Sequence, residues 1–380
     1  MRVLYVAPRY HTNQTAIMKG WLSRGDKVGF LAHYAGKLED YSAIKPEIVG
    51  YSIFFNLFNY LYVHIINRKK EYAVNMRLKG GFPPVFKLFR IMSRFQPDVV
   101  ITRERSVYSI FVTLFCRLKG LPVILYNQSP VMEARKKDLV HRVLYSLTPE
   151  YRITPVYTIG KMSGERDKKA YFLPFLMEPQ LAPEEKSYFH KDRINLFCIG
   201  KYQIRKNHLM MIEVVEKLAA KYPVHLVIAG EVSDVFQEKY YRKITEYVKS
   251  RNLEGTVELY RNLDRVQIFD IYKKSDLFVL ASTDEPAAVS PLEAMAFSLP
   301  VISGNNNGTA TYIEEGQNGY IFEDQNADDL YNKIELIISN KENIRLFGKK
   351  SYELVIQRHQ FTNYYQTICG IVDKIREDSN

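Results

Sequence analysis

The chain has 380 residues, 46% of them hydrophobic, and a formal net charge of +11 at pH 7. That length exceeds one ordinary core and suits two domains, and no run approaches the roughly 18–20 apolar residues of a membrane-spanning helix. Cys116, Cys198 and Cys369 lie far apart with no ligand spacing, which excludes a disulfide frame or cysteine zinc site and suits reduced core residues of a cytosolic protein.

The opening "MRVLYVAP" reads as a buried strand at 2–7 rather than a targeting segment. A helix at 16–24, a stop at Gly25 and a strand at 27–33 complete a βαβ opening. Strands follow at 98–103 and 122–127, with a buried helix between them ending at Gly120. The interval 51–95 departs from this alternation. Its stretch "FPPVFKLFRIMSRF" sets Phe86, Phe89 and Met92 about a turn apart beside Lys87, Arg90 and Arg94. That pattern is a basic amphipathic helix, either an ordinary domain helix or a peripheral contact with an anionic membrane.

Alternation restarts at 194–200. A helix at 208–222, strand 224–230, helix 236–251, strand 256–260, helix 265–274 and strands 277–282 and 300–303 follow. Strands alternating with helices predict a doubly wound parallel sheet, here twice in series. The expected domains are 1–180 and 190–360, linked by the charged, proline-bearing segment 175–190, with a last helix at about 361–380. Residues 1–180 carry 28 Lys or Arg against 13 Asp or Glu, a net +15; residues 181–380 carry 25 against 29, a net −4. A basic first half suits an anionic partner surface, lipid headgroups or nucleic acid.

Two stretches of the second half carry chemistry. In "DEPAAVSPLEAMAFSLPVI" (284–302), Ser290 is the expected N-cap, Pro291 the first helical residue and Glu293 the third, a capping box. Capping accounts for neither Glu285 nor the small loop Pro286, Ala287, Ala288, Val289. Small residues at a helix start let an anion approach backbone amides, and the loop follows a parallel strand, where open α/β sheets bind ligands. In "IGKYQIRKNH" (199–208), Lys201, Arg205 and Lys206 follow another strand. Cations there suit a leaving group that gains negative charge, each charge-assisted hydrogen bond contributing about 1.5–3 kcal/mol.

Glu285, seven residues, then Glu293-Ala294-Met295-Ala296 and Pro300-Val301-Ile302 resemble the signature of family 4 retaining glycosyltransferases. The resemblance covers nearly all of 190–375. It implies the GT-B fold: two Rossmann-like domains facing a cleft, the first binding the acceptor, the second a nucleotide-sugar, and the last helix returning to the first domain. It further implies that Glu293 binds the ribose, Glu285 the donor sugar, the amides near Ala288, Val289 and Ser290 the diphosphate, and Lys206 and Lys201 its charge. Lys201 stands for the family's Arg, losing the bidentate fork. Ala288 and Ser298 stand for Gly, and Thr311 for Glu. Gly308 and Gly319 align. The first-half loop 7–16 lacks the family's glycines; Asn13 and Gln14 are its polar contacts for donor or acceptor. Gln128 stands where the family has His, and His11 reads as a surface residue.

The implied activity is retaining transfer from a nucleotide-diphosphate sugar to a glycan or polyprenyl-linked acceptor, in a bacterial surface-polysaccharide route such as capsule or O-antigen. The implied setting is cytoplasmic, at the inner membrane face. No cofactor or metal is expected, since no DxD stands at a strand end. Two alternatives stay open. One is a dinucleotide-dependent oxidoreductase, for which no GxGxxG follows the first or fifth strand. The other is a non-catalytic binder of membrane or of nucleic acid without sequence specificity.

Overall fold

A computed structural model describes residues 1–11, 14–36, 40–62, 77–160 and 165–378. The chain divides into two compact units: Met1–Thr154, Gly164–Leu176 and Phe361–Asn380 form one, Pro155–Ser163 and Met177–Gln360 the other.

The first unit holds a parallel sheet of β1 (Arg2–Ala7), β2 (Lys27–Ala32), β3 (Glu47–Ile48), β4 (Val99–Arg103), β5 (Val123–Tyr126), β6 (Arg152–Thr154) and β7 (Ala170–Phe172), in the order β3-β2-β1-β4-β5-β6-β7. Its helices are α1 (Thr15–Ser23), α2 (Ile53–Leu61), α3 (Val85–Phe95), α4 (Val107–Leu118) and α5 (Leu139–Leu147), with the last helix, Phe361–Glu377, in the same unit. Side chains alternate across a strand, so β1 feeds two cores. Val3, Tyr5 and Ala7 pack with Trp21 and with Tyr364, Ile368 and Ile371 of the last helix. Leu4 and Val6 face the other way, onto Leu88, Ile91 and Met92 of α3 and Phe115 of α4. A short polar chain locks the first core: Trp21 Nε1 donates to the Tyr5 hydroxyl at 2.8 Å, which lies 3.0 Å from that of Tyr364.

Of the two readings of the amphipathic stretch in 51–95, the structure shows α3 as a domain helix. The apolar face of α3 is core, with Leu88, Ile91 and Met92 buried and Phe89 packed edge-on against Phe115. Two of its cations are engaged within the unit. Lys87 Nζ donates to the carbonyls of Ile48 and Val49, and Arg94 pairs with Glu47 at 2.7 Å. The exposed apolar residues of the interval include Phe86 and, on α2, Ile53, Phe54, Leu57 and Phe58. Positions 63–76 of that interval lie outside the described residues. Among the described residues, no helix is long and apolar enough to cross a membrane.

The second unit repeats the doubly wound plan with β8 (Ile194–Ile199), β9 (Val224–Gly230), β10 (Val257–Arg261), β11 (Leu277–Leu280), β12 (Val301–Gly304) and β13 (Gly319–Phe322), all parallel, in the order β10-β9-β8-β11-β12-β13. Helices α6 (His208–Ala219), α7 (Val235–Ser250), α8 (Arg265–Lys274), α9 (Ser290–Ala296), α10 (Ala327–Ile338) and α11 (Lys341–Arg358) connect and follow the strands. The strand order reverses between β8 and β11, so the loops leaving those two strands diverge and open a crevice at their carboxyl ends.

The unit boundaries differ from a single link at 175–190. Pro155–Ser163 joins the second unit, where the Pro155 carbonyl accepts from the Tyr312 hydroxyl at 3.0 Å and the Gly160 amide donates to Asn305. The proline-bearing segment is no free linker. The Met177 amide donates to His359 and that of Gln180 to Ala296, which fasten it to the second unit.

Candidate active site

The two loops that diverge at the β8/β11 reversal bring three charged side chains together. After β8 the chain passes Gly200 and a short 3₁₀ turn, Ile204–Lys206, into α6. The Lys206 stem lies against Gly200: a Cβ there would stand 3.1 Å from Lys206 Cδ and Cε, tighter than a side chain tolerates without a shift. The ammonium is carried to Glu285, on the loop after β11, and donates to its Oε2. Arg205 Nη1 reaches the same oxygen at 2.8 Å. Burial alone would push the Glu285 carboxyl up, but Lys206 and Arg205 outweigh it and hold the group below its ordinary range.

Backbone ties fix this arrangement. The Thr283 amide donates to the Arg205 carbonyl at 2.8 Å, and Asn207 Nδ2 donates to the carbonyl of Ala281 at 2.9 Å. Asn207 itself is left-handed at φ 51°, which turns the chain into α6. Glu285 is held from the β12 side, its carbonyl accepting from the Gly308 amide at 3.0 Å. A Cβ at Gly308 would collide with the Pro286 carbonyl oxygen, so only glycine allows the two loops to lie this close. Thr309 Oγ1 donates to the Ala288 carbonyl at 2.9 Å and completes the clamp.

Glu293 sits on α9, half-buried, and its Oε2 accepts from the Tyr272 hydroxyl at 3.2 Å. Burial pushes its carboxyl up, against the opposing pull of Tyr272 and Arg265. The expected capping box is absent. Val289 is already helical, at φ −90° and ψ −27°, and its carbonyl accepts from the Glu293 amide at 3.0 Å. The helix thus begins one residue earlier than Ser290 as N-cap requires, and the carboxylate turns to Tyr272 instead. Ala288 is buried, and Val289 and Ser290 are half-buried. Ser298, where the resembling family has Gly, is left-handed at φ 57° and bonds the Leu181 carbonyl through its hydroxyl at 2.7 Å.

Lys201 does not join the Glu285 cluster; it pairs with Glu231 at 3.0 Å. Gln14 lies in the first unit, where it lines a small cavity of about 40 Å³ with Tyr5, Arg103 and Tyr126. Its Oε1 accepts from the His11 amide at 2.9 Å. Gln128 stands within hydrogen-bonding reach of Tyr126, and Asn13 lies outside the described residues. His11 is no ordinary surface histidine: burial, then Arg103 and Arg9, push its pKa down to about 3. Sequence reasoning named Arg205 only as one of three loop cations and left Asn207 and Tyr272 without roles. The position of Arg205 beside Lys206 marked it as a loop cation but not as the second partner of Glu285; Tyr272 sits in an unremarkable helix. Among the described residues, no group of three His, Cys, Asp or Glu side chains is placed to hold a metal.

Residues 182–354 match the family model described as glycosyl transferases group 1, so the second unit carries that domain. Spore coat protein SA of Bacillus subtilis is 30% identical over 221 residues, 55% of this chain and 57% of that protein. The poly(ribitol-phosphate) alpha-N-acetylglucosaminyltransferase of Staphylococcus aureus is 29% identical over 156 residues, 40% of this chain and 29% of that protein. The chain therefore spans little more than half the length of the first relative and under a third of the second. The structure of Anabaena Alr3699/HepE in complex with UDP superposes with a TM-score of 0.70 at 14% identity, covering 98% of this chain and 100% of that one. The fold is GT-B.

Proposed function

We propose that this chain is a retaining glycosyltransferase that moves a sugar from a nucleotide-diphosphate sugar to a hydroxyl of a glycan or polyprenyl-linked acceptor. The observation that carries the reading is the convergence of Lys206, Arg205 and Glu285 at the strand-order reversal of a group 1 domain. Two cations there suit the diphosphate, and a carboxylate between them suits the hydroxyls of the attached sugar. Glu293, backed by Tyr272, is the ribose partner, and the amides of Ala288, Val289 and Ser290 are further diphosphate donors. Lys201 is a weaker candidate, since Glu231 competes for it. Asn13, Gln14 and Gln128 remain proposed contacts to donor or acceptor from the first unit.

The chemistry asked of these residues is positioning and charge stabilisation. The acceptor oxygen forms its bond to the anomeric carbon on the face that the diphosphate leaves. The bond from that carbon to the diphosphate breaks, and the acceptor proton passes to the departing diphosphate oxygen. Lys206 and Arg205 neutralise the negative charge that grows there. Such a route needs no metal and no cofactor. The UDP in the HepE structure and the polyol-phosphate acceptor in the name of the Staphylococcus relative support a nucleotide donor and a cell-surface polymer product. A cytoplasmic enzyme at the inner membrane face, touching anionic lipid through the exposed apolar residues of 51–95, fits such a product.

A thermal-shift screen of nucleotide-sugars beside NAD tests the reading. One nucleotide-sugar should stabilise the protein, and Lys206→Ala and Glu293→Ala should each abolish the shift. Stabilisation by NAD alone, or a shift that both variants retain, overturns it.

A further inference from the structure

A buried charge of the second unit stands apart from the proposed donor chemistry. Lys186 is 7% exposed, and lysine is rarely buried without a partner. Its ammonium is bonded to carbonyls rather than to a carboxylate: Nζ donates to the Tyr272 carbonyl at 2.8 Å and to that of Lys273 at 2.7 Å. Both carbonyls belong to the last turn of α8, where backbone oxygens lack intrahelical partners and the helix dipole favours a cation. Asp276 and the Tyr188 ring, 5.6 Å away, also face the ammonium. Asp276 directs its oxygens to the amides of Phe189 and Asn195, each at 2.7 Å, and Lys273 turns its own side chain to Asp270 at 3.4 Å.

The capped residue is the one that holds Glu293. The Tyr272 ring is closed in by three others, stacked on Phe297, edge-on to Phe197 at 4.9 Å and tilted against Phe278 at 5.9 Å. A ring so packed has no room to rotate, so the position of its hydroxyl is set by the Tyr272 backbone. That hydroxyl has one proton and two acceptors at almost the same distance, Glu293 Oε2 at 3.2 Å and the Ser290 carbonyl at 3.3 Å. A small shift at the end of α8 decides between them.

We infer that Lys186 is a positioning residue for nucleotide recognition: by gripping the Tyr272 and Lys273 carbonyls it fixes the end of α8 where the Tyr272 hydroxyl bonds Glu293 and orients that carboxylate for the ribose. The inference rests on the donor reading and extends its ribose subsite to a lysine outside it. Burial pulls the Lys186 pKa down from 10.5 to about 7, against the opposing pull of Asp276. The grip on the carbonyls is therefore charge-assisted below about pH 7 and weaker above it.

Calorimetric titration of the full chain with UDP, GDP and ADP, beside pyrophosphate, tests the assignment. Lys186→Met removes the ammonium, and Lys186→Gln keeps an N–H donor without the charge, so one serves if the other does not fold. Each should weaken the nucleotide that the wild type binds by about five- to tenfold and leave pyrophosphate binding unchanged. The ratio of nucleotide to pyrophosphate affinity should fall in the wild type as the pH rises through about 7, and the variants should lack that fall. The difference between wild type and variant isolates Lys186, since Glu293, its carboxyl pushed up by burial, and the phosphate groups titrate in all of them. Equal losses for both ligands, which would assign Lys186 to the integrity of α8, overturn the proposal. So does a pH dependence that the variants share with the wild type. Nucleotide binding that both variants retain leaves the donor reading standing and removes only the role of Lys186. If the wild type binds none of the nucleotides, the donor reading fails and this inference with it.

Discussion

Lys206 and Glu285, 79 positions apart in the sequence, form a single ion pair across the reversal of the second sheet, one leaving β8 and the other leaving β11. Arg205 shares the same carboxylate oxygen. The pair defines the floor of the proposed donor site.

Removing the ammonium with Lys206→Ala takes one charge-assisted hydrogen bond from the diphosphate, about 1.5–3 kcal/mol. Transfer should fall by roughly 10- to 150-fold, with kcat affected more than KM if the charge matters most as the bond breaks. Steady-state kinetics with the donor found by the thermal screen measures it. Glu285→Gln should leave the fold intact and lower kcat.

Gly308→Ala tests the loop clamp. The added methyl meets the Pro286 carbonyl oxygen, which is backbone and has little freedom to yield. Overpacking of this kind costs about 1–3 kcal/mol, so the urea midpoint should drop. Donor affinity should drop too, because Glu285 hangs from Gly308 through its carbonyl. A variant of normal stability and affinity would show that the loops are not held as described.

Acid stability separates two groups of the second unit. His208 is fully buried with neither ring nitrogen hydrogen-bonded among the described residues, and burial pushes its pKa down to about 3 from an ordinary 6.5. Between those values the unfolded chain binds the extra proton and the native state does not, so stability falls as the pH drops through that window. Glu285 acts lower. Its folded pKa lies below the ordinary 4.5, so its contribution is full above that value and is lost as the pH falls through the folded pKa. Urea unfolding against pH should therefore lose slope across the window from pH 6.5 down to about 3 in His208→Leu, and only below pH 4.5 in Glu285→Gln. His33, buried beside Tyr108 with its own pKa pushed to about 3, keeps some slope in the upper window.

Much of this architecture is legible before the fold is seen. The strand at 224–230 and the helix at 265–274 match β9 and α8 at both ends, because turn residues and caps bound them: Asp264 caps α8 with its own carboxylate. The pairing of Lys206 with Glu285 is not legible. Each residue marks a loop, but only the strand order makes those loops neighbours. The start of α9 was misplaced because proline fits either of the first two helical positions, and the Tyr272 partner that draws Glu293 inward lies on another helix. The face of α3 left two readings open for a related reason: an apolar stripe edged by cations looks the same whether it meets lipid or a sheet, and Leu4 and Val6 of β1 show that it meets the sheet.

Glu293 and Tyr272 give the sharpest test of donor recognition. Tyr272 is buried, stacked on Phe297 at 5.2 Å, and its hydroxyl touches the Glu293 carboxylate. If Glu293 binds ribose hydroxyls, Glu293→Gln should weaken binding of the nucleoside diphosphate about tenfold, roughly one charge-assisted hydrogen bond, while leaving pyrophosphate binding unchanged. Tyr272→Phe keeps the ring packing and removes only the hydroxyl that orients the carboxylate. It should reproduce a fraction of the same loss with the same selectivity. Calorimetric titration with both ligands reads the ratio directly. Equal losses for nucleotide and pyrophosphate would assign Glu293 to the integrity of α9 rather than to the ribose.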